Sequence, residues 1–124
     1  MIHYLDVPVY KTNVVFLVET TEDEWRQYYE EDTSYLTEND YLSVLDDINN
    51  PDNGDGTTTM TDGGSFIIYI RDRHSHGDIA HEVFHAANWI LVNRKVTHDE
   101  SAEPWAYLIG WFTDVIYEVI EKMS

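Results

Sequence analysis

The stretch DIAHEVFHAANWILVN, residues 78–93, repeats its apolar side chains at the three- and four-residue spacing of a helix. Ile79, Val83, Ala86, Ala87, Ile90 and Leu91 make one face of it. A second helical pattern, residues 101–122, carries Trp105, Leu108, Ile109, Phe112, Ile116, Val119 and Ile120 at the same spacing. Between Trp105 and Ile116 it is apolar nearly all round, which predicts a central buried helix. Ala86, Ala87 and Gly110 are small enough to let the two axes approach closely.

Working back from the first helix, SFIIYIR (residues 65–71) reads as a strand. Residues 57–61 and a turn at Asp62-Gly63-Gly64 make it one arm of a hairpin or of two adjacent strands. NNPDNGDG (residues 49–56) is a turn-rich surface loop. It is not an EF-hand, because counting back from Gly56 puts Pro51 at the first ligand position. A weaker helix spans residues 38–48 through Tyr41, Leu42, Leu45 and Ile48. Thr21 and Glu24 have capping-box spacing and open a helix over residues 22–31, with Trp25, Tyr28 and Tyr29 on one side. NVVFLVE (residues 13–19) is a strand, preceded by a short extended piece at residues 7–10. The order β-α-α-β-β-α-α predicts one α+β domain over residues 1–124: a small mixed sheet with the helices gathered on one face.

Charge narrows the function classes. Lys+Arg number 7 against Asp+Glu 24, a net charge of −17, and so few cations cannot line a phosphate-binding surface. No direct nucleic-acid binding is expected. Cysteine is absent, which removes disulfides, thiolate zinc sites and cysteine nucleophiles and leaves His, Asp and Glu to hold any metal. The first ten residues lack the basic flank and apolar run of a signal peptide, and no apolar stretch reaches membrane-spanning length. The expectation is a cytoplasmic protein with no membrane partner.

Inside the first helix, His81-Glu82-Val83-Phe84-His85 is an H-E-x-x-H motif. Residues i and i+4 share a helix face, so both imidazoles can reach one Zn²⁺ at about 2.0–2.1 Å. Glu82, one residue round, can touch a metal-activated water without entering the coordination sphere. Hydrolytic zinc sites usually have three protein ligands. A third His six residues past His85 is excluded, since that position is Leu91. His98, Asp99, Glu100 and Glu103 crowd the start of the last helix, and a helix-borne Glu is the ligand of the His₂Glu class.

With a Glu 18 residues after His85, in Glu103-x-x-Ala106, the pattern resembles the gluzincin branch of zinc metallopeptidases. The fuller pattern, HEVFHA followed by EPWAYLIGW (residues 103–111), is similar to small predicted metallopeptidases of phage and prophage genomes. That resemblance implies a minimal zincin-like domain with one Zn²⁺ per chain, held by His81, His85 and Glu103. It also implies that the strand before the motif helix, residues 65–71, is a sheet edge on which a peptide lies as an added strand. The capping-box spacing of Thr97 and Glu100 would engage Glu100 at the helix start, whereas Pro104 suits a start nearer Ser101. Glu103 is the chosen ligand because it alone begins the Glu-x-x-Ala-Tyr arrangement of the resemblance, with Glu100 as its alternative. For oxyanion stabilisation the candidates are Tyr107, His74 and His76. Their plainer readings are a core aromatic and two loop histidines, and Trp105 and Trp111 read as core anchors.

The expected function is zinc-dependent hydrolysis of peptide bonds. Glu82 acts as general base on a water acidified by the metal, and the substrate is a peptide or protein suited by charge to be basic. Two alternatives come from other classes. One is a non-catalytic zinc-stabilised interaction domain; the other is an acidic DNA mimic that inhibits a nucleic-acid-binding protein.

Overall fold

The continuous apolar runs pair with each other at the middle of the sheet. In the computed structural model, which describes residues 1–8, 10–31, 35–94 and 103–123, β2 (Thr12–Val18) and β4 (Phe66–Ile70) run parallel, from Val14 opposite Phe66 to Val18 opposite Ile70. Val14 to Val18 and all of β4 are buried. A strand apolar at every position must be covered on both faces, and that is how parallel strands are placed. β1 (Ile2–Val7) pairs antiparallel with β2, and β3 (Gly56–Met60) pairs antiparallel with β4, so the sheet order is β1-β2-β4-β3.

Four helices accompany the sheet: α1 (Glu22–Glu30), α2 (Glu38–Asn49), α3 (His76–Asn93) and α4 (Glu103–Lys122). The α+β class, the mixed sheet and the long last helix are as the sequence indicates. The helices, however, divide between the two faces instead of gathering on one. Val14, Phe16, Phe66, Ile68 and Ile70 pack with α3 and α4. Val15, Leu17, Ile67 and Tyr69 pack with Trp25, Leu36 and Val44 on the side of α1 and α2. The period-two alternation of strands that are apolar at every position demands a cover on each side.

Three more expectations are corrected. The first strand occupies Ile2–Val7, not residues 7–10, where Pro8 and Tyr10 belong to the turn before β2 and Lys11 takes a positive φ of 50°. α4 is not buried all round: Trp105, Leu108, Phe112, Ile116 and Val119 form one buried stripe, while Ala106, Tyr107 and Gly110 face outward. Gly110 has nothing within 4 Å of where a Cβ would stand, so it does not bring the axes together, although Ala86 and Ala87 are fully buried.

Caps fix the helix ends locally. Thr21 and Glu24 form the expected capping box, and Thr37 with Asp40 forms a second one at α2. The Arg71 guanidinium donates to the carbonyls of Asp47 (2.7 Å) and Ile48 (3.3 Å), placing a cation at the C-terminal end of α2. No helix among the described residues is long and apolar enough to cross a membrane.

Candidate metal centre

The burial of α3 dictates where its histidines point. Ile79, Val83, Ala86, Ala87, Ile90 and Leu91 turn the helix onto the sheet, and the opposite face carries His81, exposed, and His85, half-buried. Their Nε2 atoms stand 3.0 Å apart, with ring centroids at 4.6 Å and planes inclined by 79°. At that distance a ring N–H of one can donate to the lone pair of the other, the roles set by the tautomers. Two nitrogens on one tetrahedral zinc ion at about 2.0–2.1 Å would stand about 3.3 Å apart. The pair therefore fits such an ion with a shift of a few tenths of an ångström. Trp89 lies 6.3 Å from the His85 ring and itself leans on Phe66 of β4, so the second imidazole is backed by the core.

Glu82 faces a different way. It is only 6% exposed and turns toward the strand at the sheet edge. The Thr58 hydroxyl lies 2.9 Å from Glu82 Oε1 and 3.0 Å from the Glu82 carbonyl oxygen, donating to that pair of acceptors. Gly56, two residues earlier on β3, leaves room for the carboxylate's stem. A Cβ there would stand 3.1 Å from Glu82 Cγ and 3.2 Å from the Tyr69 carbonyl oxygen. Thr58 and Gly56 were not legible as site residues in the sequence. The run Thr57-Thr58-Thr59 beside an all-apolar strand signals an edge, but which threonine faces α3 follows only from the register.

That register also corrects the assignment of the edge. The strand at residues 65–71 is interior, flanked by β2 and β3, and β3 is the edge strand beside the motif helix. A polar, threonine-rich strand tolerates an open side, whereas a buried apolar one needs both neighbours. Arg71 N–H donates to the Asp55 carbonyl and Thr61 N–H to the Ser65 carbonyl. Antiparallel alternation then points the peptide groups of Thr57 and Thr59 at β4, and those of Gly56, Thr58 and Met60 outward.

The other expected site residues separate into engaged and open ones. Glu103 opens α4 and is exposed, and Trp105, two residues on, is 4% exposed with its indole N–H donating to Asn88 Oδ1 at 3.3 Å. Among the described residues, no three His, Asp or Glu side chains are grouped closely enough to hold a metal. Thr97, His98, Asp99, Glu100 and Ser101 lie outside the described residues. Tyr107 is 51% exposed, so it is not the core aromatic of the plainer reading. Trp105 is a core anchor as expected, and Trp111 packs partly buried against the same core. His74 sits exposed in the turn before α3. His76 begins α3, stacks on Tyr117 and hydrogen-bonds its hydroxyl through Nδ1.

Comparison with protein-family models, with curated proteins and with solved structures finds no match to this chain.

Proposed function

We propose that this chain is a zinc-dependent metallopeptidase of the gluzincin type, similar to small phage metallopeptidases, acting on peptides or proteins in the cytoplasm. The observation that carries the reading is the 3.0 Å approach of the His81 and His85 Nε2 atoms on the open face of α3. Glu103 is the third ligand of this proposal and would have to turn toward the pair on metal binding, since the three side chains are not grouped in this structure. A zinc ion bound there would supply a Lewis acid that lowers the pKa of water toward 7 and polarises a carbonyl.

The chain's own residues do the rest. Glu82 accepts the attacking water's proton and returns it to the leaving amine nitrogen. The outward peptide groups of Gly56, Thr58 and Met60 hydrogen-bond an extended peptide as an added strand. Tyr107, exposed on α4, is the candidate donor to the developing oxyanion. The net charge of −17 favours basic substrates by attraction at long range.

The burial of Glu82 and its hydrogen bond to Thr58 favour a second reading, a non-catalytic zinc-stabilised interaction domain in which this carboxylate is structural. One experiment separates the two. Zinc-loaded wild type is incubated with a peptide library beside Glu82→Gln, which keeps the carbonyl oxygen that Thr58 needs. The peptidase reading expects cleavage by wild type and a loss of about 10²- to 10⁴-fold in the variant at unchanged zinc content. No cleavage by the zinc-loaded wild type removes it, and full cleavage by Glu82→Gln moves the base elsewhere.

A further inference from the structure

We propose that Thr58 is a positioning residue for Glu82: the edge strand that receives the substrate also sets the orientation of the general base. The inference rests on the peptidase reading for its purpose, but on its own geometry for its content. The Thr58 hydroxyl reaches Glu82 Oε1 at 2.9 Å. Among the described residues, Oε2 accepts no hydrogen bond, so it is the oxygen left to take a proton. Gly56 supplies the second constraint, since Glu82 Cγ lies 3.1 Å from the position a Cβ would take there. One strand thus grips the side chain at its stem and at one carboxylate oxygen.

The placement links two functions in one residue. The peptide group of Thr58 points out of the sheet edge, where an added strand would pair, while its side chain points at α3. A peptide drawn into register on β3 is therefore held by the same residue that holds the base. A free Glu side chain on a helix samples several rotamers, and each misdirected one removes the proton acceptor from the reacting water. Holding the acceptor in one orientation converts that loss into rate without changing how tightly the peptide binds.

The test compares Thr58→Val, which keeps the β-branched shape and deletes the hydroxyl, with Thr58→Ser, which keeps the hydroxyl. Two readouts are taken on the full chain. The first is the set of side-chain scalar couplings of Glu82 by NMR, with and without zinc. The expected result is one rotamer in wild type and Thr58→Ser, and averaging in Thr58→Val. The second is peptide cleavage by the zinc-loaded proteins, where kcat of Thr58→Val falls by about 10-fold or more, KM changes less than about 2-fold, and Thr58→Ser recovers most of the rate. Should Thr58→Val fail to fold, Thr58→Ala takes its place in both readouts. A single Glu82 rotamer in the hydroxyl-free variant overturns the inference whatever the activity. A fall in cleavage that Thr58→Ser does not recover overturns it as well. Absence of cleavage by wild type counts against the peptidase reading, and the couplings still decide the role of Thr58.

Discussion

The indole N–H of Trp105 donates to the amide oxygen of Asn88 at 3.3 Å, tying the opening turn of α4 to the motif helix three residues beyond His85. Trp105 is buried, and Glu103 lies two residues before it. The bond therefore sets where the start of α4 stands along α3. Asn88→Ala should cost about 0.5–1.5 kcal/mol in urea unfolding, the usual net worth of such a bond. It should also weaken zinc binding, because the turn that carries Glu103 loses its tie. Unchanged zinc affinity in this variant would show that the first turn of α4 takes no part in the site.

Zinc should bind at one ion per chain and raise stability. At a free concentration 100 times Kd the gain is about 2.7 kcal/mol by mass action, visible as a higher Tm that a chelator reverses. His81→Ala and His85→Ala should each remove saturable binding while leaving the core intact, since neither imidazole is fully buried. Equal Tm with and without zinc in the wild type would refute the site.

Glu103→Ala should weaken zinc by at least the roughly 10- to 100-fold that loss of even an outer-shell partner costs. Glu100→Ala should leave zinc affinity nearly unchanged. Competition titration with a chromophoric chelator ranks the two, and the reverse order would transfer the ligand role to Glu100.

The two-faced sheet predicts two equally costly truncations. Ile67 and Ile68 are 1% and 0% exposed and belong to opposite cores. Ile67→Ala and Ile68→Ala should each destabilise by about 2–5 kcal/mol in denaturant unfolding. A helix layer on one face only would leave one of them cheap.

Removing the α1 cap by Thr21→Ala should cost about 1 kcal/mol. Partial burial alone would raise the Glu24 carboxyl. The hydrogen bonds from the Thr21 backbone N–H and hydroxyl, with the Met1 ammonium, outweigh it and hold the group below the usual Glu range. A depressed folded-state pKa stabilises above the unfolded value and is lost as pH falls through the folded one. Thr21→Ala should therefore cost more near neutral pH than below about pH 4, the ordinary carboxylate range, where only the pH-independent bond from the Glu24 N–H to the Thr21 hydroxyl is left to lose. A constant difference across acid titration of the unfolding curve would assign the cap to the backbone alone.

Local chemistry was legible in the sequence wherever a short stretch contains its own physics. The capping box at Thr21 and Glu24 needs four residues, the helix bearing His81 and His85 needs a period of 3.6, and both are present as expected. The approach of the two imidazoles follows from helix geometry once that period is read. What the linear pattern does not contain is pairing between distant strands. β4 became interior because β2, some fifty residues earlier, pairs beside it in parallel, and that choice makes β3 the edge. The same pairing splits the apolar strands into two buried faces and so divides the helices. Thr58 meets Glu82 only because the β3–β4 register turns one threonine of three toward α3. A strand's alternation says that neighbouring residues face opposite ways, but long-range packing alone decides which face looks at which helix.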